Sequence, residues 1–286
     1  MISRFVPIAD LHNGLKIGLL PPGMIEDKGT DYARRHNLGL SQKRIWRHLK
    51  KCKELIFADE VDEVIVALMG DLIHGNKEAY QVISTNLLFQ AAISIESLLP
   101  FVNRASRTYA INGSDWHVGS DGTIEDYIAK ELGCYRHRTF PKMEITIQGV
   151  RFMLQHQGPS LGSRAWVRGN GMRLTLRDAS IKALEEGRTA ADYYLWGHWH
   201  TLHHEPVKVK EPGGSRIIHG YTLPAWCTAD EYALKKVKNL EFSDVGITYF
   251  DIEDGNVTCS EERLIKRFDN VERVTHESKR ALQGVS

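Results

Sequence analysis

The chain has 286 residues, 42% of them hydrophobic and 26% charged, with a formal net charge of +1. That is enough apolar side chain for a globular core, and too little net charge to draw the whole chain to nucleic acid or acidic lipid. No stretch nears the roughly twenty apolar residues of a membrane helix, and four scattered cysteines (Cys52, Cys134, Cys227, Cys259) without a CxxC pair argue against a disulfide framework or a zinc ribbon.

Residues 4–9 (RFVPIA) predict a first strand, with Pro7 favouring an edge or a strand start. The run is too short, and too soon broken by Pro7 and Asp10, for a signal peptide. The expectation is a soluble, cytoplasmic protein with no membrane contact. From Asn13 to about Gly39 few apolar positions recur, and a loop is expected. Ile45, Leu49, Cys52 and Ile56 then stand at helical spacing and predict a helix over 41–57. Its basic residues (Lys43, Arg44, Arg47, Lys50, Lys51) read as a solvated face.

Val61–Met69 reads as a second strand, apolar enough for a buried, central place. Asn76 is the expected N-cap of a helical stretch that ends at Leu99 before Pro100, with Ser84-Thr85-Asn86 as a candidate interruption. A strand over 107–112 follows. A helix comes next, from about Thr123 to Leu132, with Thr123 and Asp126 at capping-box spacing and Gly133 as its stop. EITI, Gly149 and VRFMLQH predict a β-hairpin. A helical piece near 178–186 stops at Gly187, and YYLWG is again a strand. Strands at 204–210, 215–221, 245–252 and 256–260 complete the pattern, with turns at Pro212-Gly213-Gly214 and Asp254-Gly255. Strand and helix alternate in the first half, and strands dominate the second. This predicts a single-domain, layered α/β fold with a mixed sheet over residues 1–262. Residues 263–286 form a charged tail or surface helix.

Five of these segments end in metal-ligand residues. Asp10-Leu11-His12 follows FVPIA, Gly70-Asp71 follows VIVALM, Asn112-Gly113 follows RTYAI, His156 follows VRFMLQ, and Gly197-His198-Trp199-His200 follows YYLW. Oxygen and imidazole donors without cysteine suit manganese, iron, zinc, nickel or cobalt rather than a structural thiolate zinc site. Asp10, His12, Asp71, Asn112, His156, His198 and His200 are too many ligands for one tetrahedral ion with an open position. They fit two ions that share a carboxylate, an arrangement that can clamp the attacking and leaving oxygens of a displacement at phosphorus.

The order Asp-x-His, Gly-Asp, Asn, His, Gly-His-x-His resembles the calcineurin-like metallophosphoesterases between residue 10 and about 200. The resemblance implies a layered α/β/β/α sandwich with its site on loops at strand ends. It implies two divalent transition-metal ions, manganese first among them. Asp10, His12, Asp71 and His200 would bind one ion, and Asp71 would bridge to a second held by Asn112, His156 and His198. The ions would acidify a water that attacks phosphorus, while a histidine, His117 or His74, protonates the leaving oxygen.

Two departures stand out. The family's Gly-Asp-x-x-Asp is here Gly70-Asp71-Leu72-Ile73-His74, and its Gly-Asn-His-Asp is here Asn112-Gly113-Ser114-Asp115-Trp116-His117. Either Asn112 or Ser114 takes the ligand position, and Asn112 is preferred because a carboxamide oxygen binds a divalent ion better than a neutral hydroxyl. The runs Gly-Ser-Asp-Trp-His-Val-Gly and Gly220-Tyr221-Thr222-Leu223-Pro224 are similar to bacteriophage-encoded members, which would place the protein in a host cytoplasm.

Residues 151–180 carry Arg151, Arg164, Arg168, Arg173 and Arg177 against Asp178. Arg164 and Arg168 are candidate grips on a substrate phosphate; ordinary solubility accounts for such arginines equally well. Trp166 offers a stacking surface for a base, although burial is the commoner use of tryptophan. The favoured substrate is a phosphodiester of DNA, another nucleic acid or a nucleotide. The alternatives are a phosphomonoesterase for phosphoproteins or metabolites, and a binding module that holds metal without turnover. His36, His48, His137, His203, His204, His219 and His276 carry no site signal.

Overall fold

A computed structural model describes residues 1–58, 61–118, 122–162, 165–211, 213–228 and 244–264. One sheet is built from β1 (Ile2–Ile8), β4 (Glu63–Leu68), β5 (Arg107–Ala110), β11 (Val245–Glu253) and β12 (Asn256–Leu264), in the order β12-β11-β1-β4-β5. The other holds β6 (Lys142–Ile147), β7 (Val150–Gln155), β8 (Tyr193–Trp196), β9 (His203–Glu211) and β10 (Gly214–Thr222), in the order β6-β7-β8-β10-β9. Inside the long loop, β2 (Ile25–Glu26) and β3 (Arg34–Arg35) form a small ribbon. Helices α1 (Leu40–Ile56), α2 (Leu87–Val102), α3 (Asp115–Val118), α4 (Thr123–Glu131) and α5 (Asn170–Glu185) complete the regular structure.

Alternation along the strands creates the layers. In β4, Val64, Val66 and Leu68 join one apolar cluster, and Ile65 and Ala67 join another. This is the two-residue period of a strand buried on both faces. The first cluster packs against Ile45, Leu49, Cys52 and Ile56 of α1, with Leu98 and Phe101 of α2 and Ile128 of α4. The second lies between the sheets, where the Phe5 ring stands 4.9 Å from that of Phe152. On the far side, Met172, Leu176 and Ala183 of α5 cover Tyr194, Trp196, Val207 and Ile218. The result is an α/β/β/α sandwich with two mixed sheets, and the predicted basic face of α1 is exposed. No helix among the described residues is long and apolar enough to cross a membrane.

Several boundaries differ from expectation. β1 is central, flanked by β4 and β11, not at an edge. Pro7 is tolerated because the β11 ladder stops at Phe5–Phe250, so no bond on that side needs the missing N–H. Helix α2 begins after Asn86, whose side chain accepts hydrogen bonds from Leu88 N (3.0 Å) and Phe89 N (3.3 Å). The segment after Asn76 is instead a loop fastened to α2, since Gln90 bonds both Gly75 N and Gly75 O. Pro100 sits within the last turn of α2, which Leu98 and Phe101 anchor in the core. Helix α4 is entered through Gly122, with φ +63°, and not through a Thr123 capping box; Asp126 accepts from Thr139 instead. Residues 263 and 264 finish β12, while 265–286, with His276, lie outside the described residues, as does Pro212.

The site follows from strand direction. β1, β4 and β5 run parallel in one sheet, and β7 and β8 run parallel in the other. Asp10, Asp71, Asn112, His156 and His198 all follow the C-terminal ends of these strands, where a crevice opens in α/β sheets.

Candidate metal centre

Among the described residues, ten non-glycine residues have positive φ, and five of them are Asp10 (54°), His12 (44°), Asp71 (50°), His198 (71°) and His200 (51°). Such backbone costs about 1–3 kcal/mol per residue and persists only where the surroundings impose it. Here the loops lace one another. Asp10 N donates to Gly70 O (3.1 Å) and His12 N to Asp71 O (3.0 Å). The Asp10 carboxylate accepts from His198 N at 2.8 Å. Asp244 N donates to His200 O (2.8 Å) and its Oδ2 accepts from Leu202 N (2.7 Å), which pins the far end of the histidine loop. A Cβ on Gly113 would collide with Asp71, so only glycine lets these two loops approach.

The side chains converge. Potential ligand atoms of Asp10, His12 and Asp71 lie within 4.8 Å of one another, and so do those of Asp71, His156 and His198. Asp71 belongs to both groups. His200 joins the first, with Nε2 at 3.0 Å from His12 Nε2 and 3.4 Å from Asp10 Oδ1. His156 Nε2 stands 2.9 Å from Asp71 Oδ2.

Three of the histidines share one orientation. His156 Nδ1 faces Met69 O at 2.7 Å, His12 Nδ1 faces His74 Nδ1 at 3.4 Å, and His200 Nδ1 faces the Cys227 sulfur at 3.7 Å. With Nδ1 directed outward, each Nε2 faces inward, the arrangement in which outer partners hold metal-binding imidazoles. The fit to a cation has a second sign. Asn112 Oδ1 is buried and has no hydrogen-bond partner, a costly state that a cation relieves. Ser114, the other reading of that motif, spends N–H (2.6 Å) and hydroxyl (3.0 and 3.1 Å) on the Asp71 carboxylate.

Electrostatics agree with the geometry. Burial favours a neutral Asp10, yet His12, His200 and His156 hold its carboxyl well below the ordinary range. Asp71 is lowered too, against burial, chiefly by His156. Burial also opposes a charged His156, but Asp71 and Asp10 push it up to about 10. His200 is likewise raised well above its ordinary value, where burial is outweighed by Cys227 and Asp10. His12 falls to about 4 through burial and the neighbouring His117. His74 falls to about 2 through burial and His12.

A cavity of about 320 Å³ opens onto His12, Asp71, His74, His117, His198 and His200. His117 Nδ1 donates to His74 O at 2.7 Å, which leaves Nε2 for proton exchange. Arg168 is exposed and does not line this cavity; neither does Trp166, 74% exposed, and Arg164 lies outside the described residues. Arg151 is hydrogen-bonded to Thr189 and Ala190, and Arg173 pairs with Glu205 at 2.7 Å.

Sequence reasoning missed three contributors. Cys227 and Asp244 carried no motif at all. Glu125 sits next to the residue singled out for capping, and its fully buried carboxylate accepts from Leu72 N (2.8 Å) and Gly113 N (2.6 Å). It thereby ties together the loops that carry Asp71 and Asn112. Burial, then Asp71, pushes its pKa up to about 7.

No protein-family model and no curated protein matches this sequence. Solved structures do align. Vacuolar Protein Sorting 29 from Cryptosporidium parvum is 11% identical, over 93% of this chain and 99% of that one, with a TM-score of 0.39. A metallophosphoesterase from Sphaerobacter thermophilus is 13% identical, over 91% and 88%, with a TM-score of 0.36. A conserved uncharacterized protein of Streptococcus pneumoniae, described as a predicted phosphoesterase, is 9% identical over 95% of each chain, with a TM-score of 0.35. Likeness at that level carries neither activity nor substrate to this chain.

Proposed function

We propose that this chain is a metal-dependent phosphoester hydrolase of the calcineurin-like type. In this reading Asp10, His12, Asp71, Asn112, His156, His198 and His200 hold two divalent transition-metal ions. The observation that carries it is the membership of Asp71 in two ligand groups, one with Asp10 and His12, the other with His156 and His198. Manganese is the first expectation, with iron, zinc, nickel and cobalt compatible with the same donors. Such ions supply Lewis-acid polarisation of phosphoryl oxygens and lower the pKa of water.

The residues of the chain do the rest. Ser114 fixes the Asp71 carboxylate through its backbone N–H and its hydroxyl. His117, oriented by the His74 carbonyl, delivers a proton from Nε2 to the leaving oxygen. The favoured substrate is a phosphodiester of nucleic acid or of a nucleotide; Arg168, outside the cavity, is a candidate grip on a neighbouring phosphate rather than the scissile one, and Arg164 is a second candidate grip. The catalytic domain, expected to end at residue 262, takes in Arg263 and Leu264 as the last residues of β12.

Elemental analysis of protein purified without chelator should find about two transition-metal ions per chain. With manganese, a bis-aryl phosphate should be cleaved in preference to a mono-aryl phosphate. Asp71→Asn should lower activity roughly 100-fold or more, because the shared ligand loses its charge. His117→Ala should lower the rate by about 10²–10⁴ while keeping the metal content. Near-normal turnover by Asp71→Asn would contradict the two-ion scheme, and preference for the monoester would end the phosphodiester assignment.

A further inference from the structure

Trp116 is 49% exposed, and among the described residues it is the one exposed large hydrophobic side chain that lines the cavity containing the candidate ligands. Its ring is half exposed, with one face under Lys77. Helix α3 lies so close to the preceding loop that a Cβ on Gly75 would collide with the His117 carbonyl oxygen. On the rim, Lys77 Nζ stands 4.6 Å from the Trp116 ring centroid and donates to Asp115 O at 3.1 Å. The acid next to it, Glu78, is engaged by the Gln81 side chain.

A tryptophan that only stabilises a core buries its ring; this one lines the cavity with a half-exposed ring, and Lys77 caps one face and leaves the other for a ligand. A flat apolar wall next to positive charge complements a nucleotide, which offers a planar base adjacent to an anionic phosphate. Trp116 also precedes His117 on the single turn of α3. We propose that Trp116, with Lys77 beside it, is a specificity-determining wall that stacks on the nucleobase of the leaving-group nucleoside. This rests on the phosphodiester reading and names which side of the scissile phosphate the protein recognises.

The test uses the manganese-loaded full chain as wild type, Trp116→Phe and Trp116→Ala. Its substrates are a thymidine dinucleotide and the same dinucleotide lacking the base on the leaving side. For Trp116→Ala, KM on the intact dinucleotide should rise about tenfold more than KM on the abasic analogue, the size of one lost base stack. Trp116→Phe, which keeps an aromatic face, should restore most of that difference. An equal change on both substrates, or none on either, overturns the proposal. If the wild type cleaves neither, the phosphodiester reading fails on its own, and equilibrium binding of a fluorescent dinucleotide still decides the wall. Weaker binding by Trp116→Ala upholds the wall, and equal binding removes it.

Discussion

The proton on His156 illustrates how individual residues report the chemistry of the site. Against the cost of burial, Asp71 and Asp10 raise this imidazole to about 10, so in protein stripped by a chelator it is charged at neutral pH. A divalent ion needs the neutral Nε2 lone pair, so uptake must expel that proton. The sign is therefore fixed: apparent affinity should rise with pH, by about tenfold per unit for each proton released, up to the region of pH 10. Calorimetric titration of manganese in buffers of different ionisation heat should detect proton release at pH 7. Uptake without proton exchange would remove His156 from the ligand set. Asp10, Asp71 and the histidine pair were legible in the sequence because each directly follows an apolar strand. Glu125, Cys227 and Asp244 were not, because they act through backbone N–H groups and an outer ring nitrogen, which leave no spacing to read.

At the level of elements, the ligand loops are only as well placed as the backbone that joins them, and Glu125 of α4 is that join. Glu125→Gln keeps one acceptor but turns an amide donor toward the second backbone N–H, a buried mismatch worth about 1–3 kcal/mol. Manganese affinity should fall roughly 10–100-fold, as it does when outer partners of metal ligands are lost. A lower melting temperature with unchanged affinity would make Glu125 merely structural. The helix bodies were readable from apolar spacing, as the buried stripe Ile45, Leu49, Cys52, Ile56 shows. Their starts were harder. Asn76 and Asn86 look alike as caps, and only the Gln90 bonds to Gly75 show why the chain waits for the second. A carboxylate at capping spacing, Asp126, was claimed by distant Thr139.

At the scale of the molecule, the candidate centre joins two sheets. Asp10, His12, Asp71 and Asn112 come from the first, and His156, His198 and His200 from the second. Cations held there would bind the folded chain and not the unfolded one. Manganese at a thousandfold excess over its dissociation constant should therefore stabilise the protein by about 4 kcal/mol per site. Thermal unfolding with manganese and with a chelator measures this, and coincident curves would refute a site that spans the sheets. Alternation of strand and helix was enough to predict a layered α/β domain. The division into two sheets came only from the resemblance, because strand partners far apart in sequence leave no local signal. The central place of β1 was hidden for the same reason: Pro7 speaks against it, and β11 lies more than half the chain away.

That distant partnership has a consequence for how the protein is made. A nascent chain that has emerged as far as β10 already contains every candidate ligand. The strand bearing Asp10 still lacks its antiparallel neighbour, and Trp226, whose N–H holds the Asp10 carbonyl at 2.9 Å, has yet to appear. The candidate centre is therefore complete in its ligands before the Asp10 loop gains its Trp226 hydrogen bond and β1 its second neighbour.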